Sequence, residues 1–134
     1  MRFCILILFF FAACSDDNDF IQEVYVNEQI DLSLPEYSDL NSPGSAIFVD
    51  GGVKGLIIYN EIGEKYKVYD RNCSYEPQQS CSKIDSINSG LAFCGCCSSV
   101  FTIYNNGEPI NSPALLPLKS YNYSLSGNIL NIYN

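Results

Sequence analysis

Residues 94–101 read CGCCSSVF, so three cysteines fall within four consecutive positions. Two more cysteines, Cys73 and Cys81, lie together earlier in the chain. Short apolar stretches at 91–94 and 100–104 flank the cysteine-rich segment, as expected for strands on either side of a loop. The pattern therefore predicts two cysteine-bearing loops connected by β-strands.

The rest of the chain also reads as short strands separated by turns. Ile30, Leu32 and Leu34 alternate with polar residues, which is typical of a half-buried strand. No segment carries a helical period of useful length, so the fold class is predicted to be all-β, a small sandwich or barrel. A turn-rich connection is expected over 35–44. The predicted strands are 24–34, 46–49, 56–59, 65–70, 91–94, 100–104, 121–125 and 129–133.

Composition excludes several classes of function. The 134 residues carry a formal net charge of -8, from 15 acidic and 7 basic side chains. Such a chain lacks the excess of Lys and Arg that sequence-independent nucleic-acid binding requires. Histidine is absent, which excludes a Ser-His-Asp triad and any imidazole-ligated zinc or haem site. One domain is expected at this length.

The first residues read as an export signal. A positive start precedes an apolar run too short to span a membrane, which predicts a signal peptide over 1–13. Residues 11–14 read FAAC and resemble a bacterial lipobox, which implies lipidation at Cys14. The acidic residues that follow resemble the export tag of Bacteroidetes lipoproteins. We therefore expect 14–23 to be a lipidated acidic tether and 24–134 to be a domain on the outer-membrane surface. A plain cleaved signal with an acidic linker is the alternative.

The order of these features resembles the Rieske iron–sulfur domain over about residues 46–132. In that family, a Cys-x-His loop and a Cys-x-x-His loop hold a 2Fe–2S cluster at one end of a β-sandwich. The second family loop typically reads CPCHGSxF, and 94–101 is similar to it. The resemblance implies a Rieske-like sandwich with both cysteine loops at one end. The family's downstream Gly, Pro and Tyr pattern is matched at 107–109, 112–114, 117–118 and Tyr121.

The resemblance also implies which residues occupy the ligand positions. Cys73 and Cys94 match the two cysteine ligands of the family, whereas Tyr75 and Cys97 stand where the two histidines belong. A Rieske centre needs two imidazoles on one iron. The ordinary cluster is therefore not expected to form in this chain.

Three interpretations of the cysteine loops remain open. In the first, disulfides replace the metal as Cys73–Cys94 and Cys81–Cys96, and Cys97 is left over, pairs instead with Cys73, or pairs with another chain. In the second, a 2Fe–2S cluster persists on unusual ligands, with four thiolates drawn from Cys73, Cys81, Cys94, Cys96 and Cys97. Tyr75 is a further candidate ligand through its phenolate. In the third, Cys97, alone or with Cys96, carries out thiol redox chemistry, although no basic residue lies near it in the sequence.

The first interpretation leads to the functional expectation. The chain is expected to be a cell-envelope lipoprotein with a degenerate Rieske-like domain. That domain would be a non-catalytic, disulfide-stabilised interaction module without a cofactor, and would contact a protein or surface partner of unknown identity. The alternative is an electron-transfer protein with a 2Fe–2S cluster.

Overall fold

The computed structural model describes residues 21–63 and 65–134. The predicted signal peptide, Cys14 and most of the predicted tether lie outside these residues. Among the described residues, no helix is long and apolar enough to cross a membrane. The elements are β1 Asn27–Asp31, a 3₁₀ helix Pro35–Asn41, β2 Ala46–Val49, β3 Leu56–Glu61, β4 Lys65–Asp70, β5 Ile84–Asn88, β6 Leu91–Cys94, β7 Val100–Thr102, β8 Glu108–Asn111, β9 Ser120–Ser126 and β10 Ile129–Tyr133.

The strands form two antiparallel sheets. The larger sheet has the order β1-β10-β9-β4-β3-β2, and the smaller one has the order β5-β6-β7-β8. Strands β3 and β4 carry the longest pairing, which runs from Leu56 opposite Asp70 to Glu61 opposite Lys65. The chain passes from β4 of the large sheet directly into β5 of the small one, so residues 71–83 connect the two sheets.

The molecule has two apolar cores, one enclosed by the large sheet and one between the two sheets, and β3 contributes to both. Leu56 and Ile58 pack with residues of β1, β4, β9 and β10 in a core enclosed by the large sheet. Ile57 points to the opposite face and packs with Tyr69, Phe101 and other residues in a core between the two sheets. Because side chains alternate across a strand, the continuous apolar run in β3 is what a strand buried on both faces requires.

The prediction of an all-β fold is confirmed, and strands β2, β4, β6 and β10 have the predicted bounds. The connection over 35–44 contains the 3₁₀ helix Pro35–Asn41, which begins at a proline and buries Leu40. Sequence reasoning missed two strands, β5 and β8. Both lie at edges of the small sheet and expose most of their side chains, so neither needs an alternating apolar pattern.

The N-terminal arm already packs on the domain within the range predicted to be a tether. Ile21 is buried, the Glu23 carboxylate lies 2.6 Å from Lys119 Nζ, and the Gln22 carbonyl accepts a bond from the same ammonium group. Packing therefore begins at Ile21 at the latest, three residues before the predicted start of the domain at 24.

Candidate functional site

The five cysteines among the described residues lie in two loops at one end of the molecule. The first cysteine loop, 71–83, connects β4 to β5; the second, 95–99, connects β6 to β7, and Cys94 is the last residue of β6. A disulfide between Cys81 and Cys96 joins the two loops, with the Cα atoms 5.3 Å apart. This bridge is one of the two that were predicted, and it is confirmed.

The other three cysteines, Cys73, Cys94 and Cys97, are free thiols that converge on one point. Their Sγ atoms all lie within 4.8 Å of one another, and the Sγ atoms of Cys73 and Cys97 are 3.9 Å apart. We refer to these three residues as the thiol triad. Cys73 and Cys94 are buried, while Cys97 is half-buried and forms the solvent side of the group.

The predicted Cys73–Cys94 bridge is not present in the structure, and neither is the alternative Cys73–Cys97 bridge. A disulfide requires two sulfurs about 2.05 Å apart, whereas here Cys97 turns inward and shares one site with the other two thiols. The expectation that Cys73 and Cys94 lie close together is confirmed. Cys97, expected to be left over, is the third member of the triad.

Lys54 fixes the first cysteine loop. Its ammonium group donates hydrogen bonds to three backbone carbonyls of that loop, those of Pro77, Gln79 and Ser82. Burial lowers the pKa of Lys54, and the nearby Cys73, Asp70 and Cys94 groups oppose this shift. A positive charge therefore lies within electrostatic range of two triad thiols, although Lys54 is far from both in the sequence.

Asp70, at the end of β4, holds the turn that carries Lys54. Its buried carboxylate accepts hydrogen bonds from the backbone N–H groups of Val53, Lys54 and Asn72 and from the hydroxyl of Tyr121. Gly52 approaches this carboxylate with φ of +60°, a position where a Cβ would also press on Leu56. The turn is thus fixed by a buried anion and its four donors.

Ser99 fixes the second cysteine loop. Its hydroxyl oxygen lies 3.2 Å from Cys97 Sγ and accepts a 2.9 Å hydrogen bond from the backbone N–H of Ala114. The Ser99 carbonyl accepts a bond from the N–H of Cys94, which closes the loop on itself. Sequence reasoning did not select Ser99, although it occupies the serine position of the family loop pattern.

A third loop, 112–119 between β8 and β9, packs against both cysteine loops. The Ser74 hydroxyl donates to the Leu116 carbonyl at 2.6 Å, and the Ser98 hydroxyl donates to the Ser112 carbonyl at 2.9 Å. Leu115 at the tip of this loop is 84% exposed. The cysteine end of the molecule therefore combines a buried group of thiols with a solvent-exposed apolar tip.

The triad thiols differ in acidity. Burial, together with a hydrogen bond to Cys94, raises the pKa of Cys73. Partial burial opposes ionisation of Cys97 as well, but hydrogen bonds with Ser99, Cys94 and Cys73 outweigh it and hold the pKa of the Cys97 thiol below its ordinary value. The Cys97 thiol therefore ionises more readily than the Cys73 thiol.

Tyr75 lies in the first cysteine loop, two residues after Cys73, and is half-buried against the core between the sheets. Its backbone carbonyl accepts a 2.6 Å hydrogen bond from the Ser82 hydroxyl. The group of potential metal ligands found in the described part of the chain contains Cys73, Cys94 and Cys97 but not Tyr75. The structure thus brings together three of the four positions that the resemblance assigned to a metal.

No model of a protein family matches the chain, and no curated protein matches it. Solved structures do match. An oxygenase variant in the oxygenase–ferredoxin complex of carbazole 1,9a-dioxygenase superposes with a TM-score of 0.50 at 13% identity, over 88% of this chain and 30% of the oxygenase chain. The fold is Rieske-like.

A ferredoxin of Sphingomonas yanoikuyae B1 has a TM-score of 0.48 at 16% identity, over 69% of this chain and 88% of the ferredoxin. A putative NADH-dependent nitrite reductase small subunit from Mycobacterium tuberculosis has a TM-score of 0.47 at 7% identity, over 84% of this chain and 97% of that one.

The donor atoms at the cysteine loops do not fit a Rieske cluster. That cluster needs two imidazoles, and the sequence contains no histidine. An all-cysteine 2Fe–2S cluster needs four thiolates, but the bridge removes Cys81 and Cys96 and leaves only three free cysteines among the described residues. The Rieske-like fold is therefore present without a ligand set that suits the family's cofactor.

Proposed function

We propose that this protein is a cell-envelope lipoprotein whose Rieske-like domain is a non-catalytic, disulfide-braced interaction module. The observation that carries the proposal is the donor set at the cysteine end. The fold matches an electron-transfer architecture, but the atoms that would hold the cluster are three free thiols and a disulfide. A domain with this fold and without a suitable ligand set has no evident route to iron–sulfur electron transfer.

Its architecture also favours a binding role. The Cys81–Cys96 bridge and the bonds from Lys54 hold the two cysteine loops in a fixed arrangement. Leu115 and Leu116 project apolar surface beside these loops. Preorganised loops lose little conformational entropy when they bind, and exposed apolar side chains are typical of contact surfaces. The partner is a protein or another surface component.

Localisation to the outer-membrane surface rests on the sequence. The predicted signal peptide over 1–13, the lipobox-like segment ending at Cys14 and the acidic tether support it. Metabolic labelling with a radioactive fatty acid should mark the wild-type protein in its host and fail to mark Cys14→Ala. Equal labelling of both proteins would rule out the anchor.

Metal analysis tests the central claim. The full chain, purified from its native host without oxygen, is expected to contain no iron or acid-labile sulfide and to show no visible charge-transfer bands. A brown, EPR-active preparation with two irons and two sulfides per chain would overturn the proposal. The electron-transfer alternative, on ligands drawn from Cys73, Tyr75, Cys94 and Cys97, would then replace it.

A further inference from the structure

We propose that the thiol triad, Cys73, Cys94 and Cys97, is a binding site for one soft closed-shell metal ion, Zn²⁺ or Cu⁺. This role goes beyond that of an interaction module. It also differs from the family cofactor, because it requires one ion and three thiolates instead of two irons and two imidazoles.

The spacing of the sulfurs supports a single ion. A metal–thiolate bond of about 2.3 Å places the sulfurs of a tetrahedral or trigonal site about 3.8–4.0 Å apart. The observed distance from Cys73 Sγ to Cys97 Sγ is 3.9 Å, and all three sulfurs lie within 4.8 Å of one another. Small side-chain shifts therefore suffice to place all three sulfurs around one ion.

The backbone around the triad is already fixed. The Cys73 N–H donates to the Ser82 carbonyl at 3.1 Å, and the Cys94 N–H donates to the Ser99 carbonyl at 3.1 Å. The covalent bridge holds the two loops at a constant separation. Preorganised ligands reduce the conformational cost of binding, so three donors in fixed loops can bind more tightly than three donors on a mobile chain.

The softness of the thiolate donors and the positive charge of Lys54 indicate which class of ion the triad would bind. Thiolates are soft ligands that favour Cu⁺ and Zn²⁺ over Mg²⁺ or Ca²⁺. The ammonium group of Lys54, in electrostatic range of Cys73 and Cys94, offsets the net negative charge of a three-thiolate complex. Three thiolates complete the coordination of Cu⁺, whereas Zn²⁺ would bind a fourth ligand on the solvent side, beside half-buried Cys97.

Binding involves no change in oxidation state. Each of Cys73, Cys94 and Cys97 exchanges its S–H proton for a sulfur–metal bond, and the protons pass to solvent. No oxidant or reductant is required. Because the three sulfurs are then occupied, the complex also protects them from pairing with one another.

Titration with metals tests the site. The full chain in detergent is prepared without oxygen, with the Cys81–Cys96 bridge verified by mass mapping. Co²⁺, used as a spectroscopic substitute for Zn²⁺, should produce thiolate-to-cobalt charge-transfer bands that saturate at one equivalent and disappear on adding Zn²⁺. A parallel titration with Cu⁺ in competition with a coloured chelator measures the affinity for Cu⁺. The ion with the higher affinity is the preferred one.

Two variants assign the binding to the triad. Cys97→Ala removes a half-buried ligand, and should weaken binding at least about 100-fold, since losing even an outer-shell partner typically costs 10–100-fold. The double variant Cys81→Ser/Cys96→Ser tests the contribution of the bridge, because it removes two sulfurs from the same loops and keeps all three triad sulfurs. It should still bind one equivalent, about tenfold more weakly than wild type, since the loops are then less preorganised, and circular dichroism verifies that both variants fold.

Failure of both ions to bind overturns the inference, as does equal binding by wild type and Cys97→Ala. A disulfide between any two triad members in host-purified protein would also overturn it. Iron and sulfide content tests the proposed function independently, since a 2Fe–2S cluster would register there and not as one equivalent of Zn²⁺ or Cu⁺.

Discussion

The same two loops hold two sets of sulfurs in contrasting states. Cys81 and Cys96 are exposed and joined covalently, whereas Cys73, Cys94 and Cys97 are more deeply placed and unbonded. The bridge connects exposed residues of the two loops, whereas a hydrogen bond from Lys54 to the Ser82 carbonyl and one from Cys97 to the Ser99 hydroxyl lie beside the triad. The comparison indicates a division of roles, in which the bridge constrains the loops while the triad keeps its sulfurs available for chemistry.

The largest expected effect comes from removing the bridge. Cys81→Ser/Cys96→Ser opens a loop with a sequence separation of 15 residues, and the chain-entropy model then predicts a loss of about 3 kcal/mol in the free energy of unfolding. Urea denaturation of wild type and variant measures it. An unchanged midpoint would mean that the bridge does not constrain the loops, and the contrast with the triad would disappear.

Removal of the Lys54 ammonium group should affect both sets of sulfurs. Lys54→Met keeps the apolar stem of the side chain but deletes three hydrogen bonds to loop carbonyls, and we expect a loss of about 2 kcal/mol. Hydrogen exchange should also rise in residues 71–83. Lys65→Met, on an exposed lysine, is the matched control and should change the midpoint little; equal effects of the two substitutions would contradict the assigned role.

A substitution at Ser99 should affect the surroundings of the triad and leave the Cys81–Cys96 bridge intact. Ser99→Ala leaves the N–H of Ala114 without its 2.9 Å acceptor and removes a hydrogen bond from Cys97. We expect about 1–2 kcal/mol of destabilisation, with the Cys81–Cys96 bridge still formed on mass mapping. Loss of the bridge in this variant would show that the two sets of sulfurs are not independent.

The last prediction concerns reactivity and involves no change in stability: Cys97 and Cys73 should be alkylated at different rates. The thiolate, and not the thiol, displaces iodide from iodoacetamide, and the Cys97 pKa is lowered while that of Cys73 is raised. The rate at Cys97 should therefore rise with pH at values below those for an ordinary thiol, and Cys73 should react only after unfolding. Peptide mapping of timed samples identifies the modified residue; faster labelling of Cys73 in the folded protein would contradict the assignment.

Strands with buried faces were predicted, because burial requires apolar residues at set positions along the strand. Strands that are mostly exposed were missed, because they carry no such apolar pattern. β4 and β6 were predicted with correct bounds because buried Val68, Ala92 and Cys94 fix the faces of their strands. β5 and β8 expose most of their residues at sheet edges, so their polar composition resembles that of a loop.

The candidate site was predicted in part. Its cysteines, and the bridge between Cys81 and Cys96, followed from the family resemblance. Whether Cys73, Cys94 and Cys97 form a second bridge or stay as three free thiols could not be predicted from the sequence, because it depends on side-chain directions within two separate loops. The role of Lys54 could not be predicted either, since Asp70 and the turn around Gly52, just before β3, bring it to the first cysteine loop.

The packing of the N-terminal arm has a consequence for orientation. Ile21 and Glu23 share a surface groove with Ser74, the neighbour of Cys73, and with Leu116. Ile21 lies seven positions after Cys14, and a fully extended chain spanning seven residues reaches at most about 25 Å. With the proposed lipid at Cys14, the sulfur-bearing pole of the molecule would remain close to the phospholipid headgroups, and an incoming partner or ion would have to approach it sideways along the bilayer.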